Sequence, residues 1–245
     1  MDTAHYKVIL SYNGSAFAGF QRQKDERTVQ GEFEESLRRI GWHAKSVQAA
    51  GRTDAGVHAR AQVVSFQLDW KHSTDDLRNA LNYYLPRDMA VKSVKMTPSS
   101  FHPRFDARVR HYQYTCFCQP VRDPIREVFA WRVWPGVKID RMNTASKDLI
   151  GSHDFIAFGS ATSEGGTTVR EVFSAEWEQQ KDVYKFDITA NAFLYHMVRR
   201  ITFALVAVGK EDAPISLIGN GLKNGKCKLT GLAPASGLVL EGIIY

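Results

Sequence analysis

Apolar and polar residues alternate along Tyr6-Lys7-Val8-Ile9-Leu10-Ser11-Tyr12 and along Gln62-Val63-Val64-Ser65-Phe66-Gln67-Leu68, which predicts two strands. The first runs into Asn13-Gly14, a turn signal; in the second, Val64, Phe66 and Leu68 share a face. Between them the period changes to that of a helix. Thr28 is placed to cap it, Val29, Phe33, Leu37 and Ile40 form its stripe, and Gly41 stops it. Glu32, Glu34 and Glu35 toward its start and Arg38 and Arg39 in its last turn suit the helix dipole. Ser46 to Ala50 is a short second strand. Another helix begins near Ser73, carries Leu77, Ala80, Leu81 and Tyr84 in register, and ends at Leu85-Pro86, because proline disfavours helix in the residue before it. Met89 to Met96 is a strand again. Strand, helix, strand, strand, helix, strand is the ferredoxin-like order also used by RNA-recognition modules.

The remainder repeats a similar alternation. Ser99 to Arg110 is an irregular connector with cations and rings interleaved, a composition that suits either nucleic acid or an interdomain strap. His111 to Cys118 puts Tyr112, Tyr114, Cys116 and Cys118 on one face, and Val128 to Trp134 is expected to pair with it after the Asp123-Pro124 turn. Asp140 is expected to cap a helix carrying Met142, Ala145, Leu149 and Ile150, closed by Gly151. Gly159 to Thr168 has the composition of a mobile loop. A hairpin turns at Gln180-Lys181-Asp182 between Val172–Trp177 and Val183–Ile188. Phe193 to Val208 is apolar nearly all round, the pattern of a buried helix, and a short helix near Ser216 to Leu222 and a strand over Leu238 to Tyr245 end the chain. The expected fold is α+β: two ferredoxin-like halves, 1–104 and 105–245, whose antiparallel sheets join into one extended sheet of mixed connectivity flanked by helices and loops.

Composition adds a partner class. The 245 residues hold 32 Lys+Arg against 26 Asp+Glu, a net charge of +6 that favours an anionic partner, nucleic acid first. No apolar run approaches the roughly 20 residues that span a bilayer, and the first residues lack signal-peptide character, so a soluble, cytoplasmic protein is expected. Cys116, Cys118 and Cys227 form no C-x-x-C, which suggests neither a disulfide framework nor a zinc site. H-E-x-x-H, the P-loop and G-x-G-x-x-G are all absent, against metalloprotease, nucleotide-hydrolase and dinucleotide readings.

The candidate chemistry sits in Gly51-Arg52-Thr53-Asp54-Ala55-Gly56-Val57-His58, an ionisable, glycine-bracketed turn between two strands. Taken alone, Arg52 and Asp54 there read first as an exposed ion pair, with Asp54 capping the turn. Arg199 and Arg200 lie in the apolar helix, where a buried guanidinium needs a carboxylate; Asp187 and Asp54 are the two candidates for Arg199. Tyr112 and Tyr114 suit core packing, or, beside an acid, stacking or proton transfer.

The octapeptide at 51–58, followed by Gln62-Val63-Val64, resembles the active-site signature of the tRNA pseudouridine synthase A family. The resemblance extends over Tyr12-Asn-Gly-Ser-Ala-Phe-Ala-Gly-Phe-Gln-Arg-Gln23, Phe105-Asp-Ala-Arg108, Arg110-His-Tyr-Gln-Tyr114, Asn191-Ala-Phe-Leu-Tyr-His-Met-Val-Arg199 and Pro234-Ala-Ser-Gly-Leu238. It departs at Asn13-Gly14-Ser15 and Phe17, where the family more usually has Asp-Gly-Thr and tyrosine. The resemblance implies isomerisation of uridine to pseudouridine in the anticodon stem-loop of tRNA (tRNA positions 38 to 40), with base flipping, no cofactor or metal, and a homodimer. It further implies Asp54 as nucleophile, Arg199 keeping that carboxylate ionised, and Tyr112 stacking on the uracil and helping to remove the C5 proton. Arg52, beside Asp54, is expected to fill the space left by the extruded nucleotide. Against this stand a non-catalytic RNA-binding module, which leaves the turn unexplained, and a phosphoryl-transfer enzyme, which wants metal ligands near Asp54.

Overall fold

A computed structural model of the chain describes residues 3–161 and 165–245, so Met1, Asp2 and the middle of the expected 159–168 loop lie outside the described residues. The chain forms two compact units, Met1–Arg108 with Leu240–Tyr245, and Val109–Val239. The last residues thus return to the first unit, whereas the sequence pattern carried them with the second half.

The first unit runs β1 (Ala4–Tyr12), α1 (Val29–Arg38), β2 (Gln48–Ala49), β3 (His58–Leu68), α2 (Thr74–Tyr84) and β4 (Met89–Met96). β1 lies between β4 and β3 and is antiparallel to both, Val8 opposing Val64 on one side and Val94 on the other, while β2 pairs with β3. The order β4-β1-β3-β2 is that of a ferredoxin-like sheet. Alternation decides its buried face: Tyr6, Val8, Leu10 and Tyr12 of β1 are buried and their neighbours are not. Phe33, Leu37, Leu77 and Leu81 from the two helices are fully buried, each contributing on the order of 1.5–3 kcal/mol. The Thr28 cap is the one expected, and the second helix starts where expected, near Ser73. Thr28 accepts a hydrogen bond from the Gly31 amide, and Ser73 and Asp76 form a reciprocal capping box. Ile40 and Tyr84 depart from the expected stripes: Ile40 lies past the end of α1 and Tyr84 is exposed at the end of α2.

The second unit contains β5 (Val109–Phe117), β6 (Trp131–Arg132), α3 (Ile139–Ser146), β7 (Gly151–Asp154), β8 (Val169–Gln180), β9 (Val183–Ala190), α4 (Met197–Gly209) and α5 (Leu217–Asn224), and its sheet order is β5-β9-β8-β7. The remaining strand, β10 (Leu238–Ile244), includes residues of the first unit: Glu241 pairs with Arg60 of β3, and the Ile244 carbonyl accepts from the Arg108 amide. The hairpin at Lys181, where φ is +56°, is as expected.

Four expectations need correction. Only Trp131–Arg132 of the expected Val128–Trp134 strand pairs, and it runs parallel to β5, because Asp123 accepts from the Ile125 and Arg126 amides and starts a 3-10 turn over Arg126–Val128 instead of a hairpin. Asp140 is not a cap. It sits in the first turn of α3, after Lys138, where its charge suits the helix dipole, and beyond Ser146 the chain tightens into a 3-10 turn ending at Leu149. β7 was not anticipated from the sequence. Lastly, α4 begins at Met197, not Phe193, and is not apolar all round: Arg200 is exposed and Arg199 is half-buried. The mix of strands and helices is α+β, as expected, and no helix among the described residues is long and apolar enough to cross a membrane.

Candidate active-site residues

In the first unit the stretch Gly51–His58 links β2 to β3, and its backbone is pinned from several directions. The Gln62 side chain donates to the Gly51 carbonyl, and the Ala50 amide to that of Val63. Thr53 is buried and its hydroxyl shares a 2.9 Å hydrogen bond with that of Tyr12 at the end of β1. Its carbonyl accepts from the Phe20 amide, and the Val57 amide donates to the Asp54 carbonyl at 3.2 Å. With Gly56 at φ +79°, this last bond closes a turn whose third position calls for glycine. The Asp54 side chain, half-buried, projects from the start of that turn, while Arg52 is exposed.

The glycine-rich segment Asn13–Gln23 lies directly under this turn. A Cβ on Gly14 would fall 2.0 Å from the Val57 carbonyl oxygen, and one on Gly19, at φ +101°, would meet the Thr53 carbonyl at 3.1 Å and the Ala55 amide at 3.3 Å. The Gly14 amide donates to His58 Nδ1. At Asn13, where the resemblance leads to the expectation of aspartate, the side chain accepts from the Ser15 amide, so the turn is kept. Phe17, in place of tyrosine, packs edge-on against Tyr12 and under the Arg27 guanidinium. Burial pushes the Tyr12 phenol up to about 12, against the opposing hydrogen bonds of Thr53 and Gln62, so it is a neutral strut and no acid at physiological pH.

In the second unit Tyr112 lies on β5 opposite Ile188, half-buried, with its ring edge-on to Phe193 at 5.1 Å. Tyr114, two residues on, is fully buried and donates from its hydroxyl to the Pro234 carbonyl at 2.7 Å. Burial raises its pKa well above the usual tyrosine range, and the charge of Arg199 acts in the opposite sense. Arg199, near the start of α4, is clamped to Ala233, the residue before Pro234: its Nε donates to the Ala233 carbonyl at 2.8 Å, and its own carbonyl accepts from the Ala233 amide. Gly237 closes the arrangement, since a Cβ there would lie 2.6 Å from the Tyr114 ring. The stretch Ala233–Gly237 therefore supplies the acceptors that orient Arg199 and Tyr114. The sequence pattern gives this stretch no role, because carbonyl acceptors leave no trace in side-chain identity. Asp187, one of the two partners considered for Arg199, bonds His111 and Gln113. Among the described residues no cluster of His, Cys, Asp or Glu has a metal-binding arrangement.

A profile of the tRNA pseudouridine synthase family matches residues 8–106 and 145–245. The chain belongs to that family. The matched residues include Asp54 and Arg199, while Tyr112 falls in the interval between them. The chain is similar to the tRNA pseudouridine synthase A of a Geobacter strain, with 36% identity over 241 residues that cover 98% of each chain. It is also 38% identical over 246 residues to the protein of that name from Geobacillus kaustophilus, covering 99% of this chain and 95% of that one. The Brevibacillus brevis protein is 38% identical over 242 residues, 98% of both. The family's reaction is the isomerisation of uridine to pseudouridine in tRNA, and this chain is an isomerase of that kind.

Proposed function

We propose that the chain acts on uridines of the tRNA anticodon stem-loop, with Asp54 as the nucleophile. The observation that carries this is the half-buried Asp54 carboxylate at the head of a turn whose backbone is fixed at Gly51, Thr53, Gly56 and Val57, in a chain of a pseudouridine synthase family. Rigid presentation of one carboxylate is what the reaction asks for. The glycosidic C–N bond must break, the freed uracil must turn, and C5 must join the ribose. A carboxylate serves by adding to ribose C1′ or uracil C6, or by assisting glycal formation, and all three routes require an ionised, aimed oxygen. The isomerisation is redox-neutral and adds no atoms, so it balances without a cofactor.

Arg199 is assigned the task of holding Asp54 ionised, since a neighbouring cation lowers a carboxylate pKa. Its double link to Ala233 supports the assignment, because a cation acting by position must itself be fixed. Tyr112 is assigned the uracil: its ring is half exposed and braced by Phe193, and its hydroxyl is a candidate for removing the C5 proton. Exposed Arg52 is assigned the gap left in the RNA when the target nucleotide is extruded, an extrusion that costs a few kcal/mol. A homodimer working in the cytoplasm completes the reading.

The deciding experiment is incubation with tRNA transcripts lacking pseudouridine, without added metal, followed by carbodiimide mapping. New pseudouridine in the anticodon stem-loop is expected. None at any uridine would reduce the chain to an RNA-binding module, and pseudouridine confined to another arm would overturn the anticodon assignment.

A further inference from the structure

The second unit holds a cavity of about 330 Å³ whose lining includes Phe158, His196, Arg200, Cys227, Leu229 and Leu232. Nothing in the roles assigned above uses it. Its volume lies within the range of small-ligand sites, which begins at about 300 Å³. Its chemistry is divided: Phe158, Leu229 and Leu232 supply apolar wall, and Arg200 supplies a cation. Arg200 is exposed, and among the described residues no carboxylate pairs with it. Lys226 and Lys228, both exposed and likewise without an ion pair among the described residues, flank Cys227 in the sequence. The Tyr195 ring stands beside the site, about half exposed and stacked on the His196 ring at a centroid distance of 3.7 Å.

His196 is in the left-handed region, φ +64°, although it is not glycine. Such a conformation costs of order 1 kcal/mol or more and persists only where its surroundings impose it. Here it turns the chain sharply into α4, placing Tyr195 and His196 at the start of the helix and Arg200, whose amide bonds the His196 carbonyl, one turn further on. Apolar wall, cations with no ion pair among the described residues, and an exposed ring stack are the three elements that single-stranded RNA requires: a surface for one base, charge for its phosphate, and a platform for the adjoining base.

We propose that this cavity is a nucleotide subsite for a second, unpaired residue of the RNA substrate, its base against Phe158 and Leu229, its phosphate on Arg200, and the adjoining base on Tyr195. The proposal rests on tRNA being the substrate, and it concerns affinity and substrate choice, not the bond-making step.

The test compares Arg200→Ala, Tyr195→Ala and Thr230→Trp with the wild-type chain by filter binding to tRNA across a salt series and by single-turnover kinetics at saturating tRNA. Thr230 is exposed and lines the cavity, so the indole obstructs it without removing a charge. Each variant should bind tRNA about 5- to 20-fold more weakly, a size consistent with one lost stacking or phosphate contact. Arg200→Ala alone should reduce the slope of log affinity against log salt by about one unit. Saturated single-turnover rates should stay within about twofold of wild type. Wild-type affinity in both Arg200→Ala and Thr230→Trp would overturn the subsite, as would a loss confined to Arg200→Ala, which would mark a surface charge with no role for the cavity. Saturable binding of uridine or adenosine monophosphate that leaves tRNA affinity unchanged would assign the cavity to a free nucleotide and also overturn it. If Thr230→Trp fails to fold, Ala157→Leu obstructs the cavity from another wall. Failure of the function proposed above reads differently: a wild-type chain that binds tRNA with these variant effects yet forms no pseudouridine.

Discussion

The hydroxyls of Tyr12 and Thr53 meet at 2.9 Å in the core of the first unit, so the residue before Asp54 is tied to the end of β1. Removing that link in Tyr12→Phe leaves the ring in place and orphans the Thr53 hydroxyl. A loss of about 1–2 kcal/mol is expected, read as a lower midpoint in urea unfolding with unchanged slope. Turnover should fall by more than tRNA affinity does. An equal fall in both would show that Tyr12 serves folding alone.

Asp54→Asn keeps shape and removes charge. The variant is expected to fold and bind tRNA with near-native affinity while forming no pseudouridine. Tritium release from C5-labelled tRNA measures this, and appreciable turnover would remove Asp54 from the nucleophile's role.

For Tyr112→Phe the ring that would stack on uracil survives and the hydroxyl does not. A rate about 100- to 10,000-fold below wild type with little change in KM is expected if the phenol moves the proton. A wild-type rate would leave it with stacking only.

Glu34 has no exposed surface and accepts from Arg22, Gln30, Ser46 and the Val47 amide, which joins α1 to the approach to β2 and to the segment under Asp54. Glu34→Ala orphans the Val47 amide and opens a hole. A loss of about 2–3 kcal/mol is expected by denaturant titration.

Arg27 grips Asp88 with two hydrogen bonds, 2.7 and 2.9 Å long. The guanidinium holds the Asp88 carboxyl below its usual range against a smaller opposing effect of burial. With the folded pKa depressed, the stabilisation is complete above the unfolded value of about 3.9 and is lost as pH falls through the folded one. Asp88→Asn should therefore be less stable than wild type at pH 7, with the gap narrowing below about pH 4 in thermal melts. A gap that does not change with pH would assign the whole effect to shape.

Local order was legible in the sequence wherever one physical preference acted alone. The β1 alternation, the Thr28 cap, the helix start near Ser73 and the Lys181 hairpin follow from burial, amide satisfaction and turn chemistry, and the structure repeats them. Where two preferences competed, the sequence was ambiguous. Asp140 and Lys138 both precede an apolar run, and only the packing of α3 shows that the helix starts at Ile139. Helix spacing singles out Arg199 over Arg200 as the buried cation, but the carbonyl to which Arg199 donates leaves no sign in that pattern. Glu34 looked like dipole-friendly charge because its partners other than Gln30 come from segments with no periodicity. Asp54 stood out for the opposite reason, as an acid in a glycine-bracketed turn that needed none.

The close approach of Gly14 and Gly19 to the Asp54 turn has an evolutionary and practical corollary. The octapeptide is not a portable cassette: moved without the Asn13–Gln23 floor, it would lose the surface that shapes it, and a single methyl group at Gly14 would lift it away. Drift in either stretch is expected to be answered in the other, and an engineer who wishes to re-aim the carboxylate would begin at the floor.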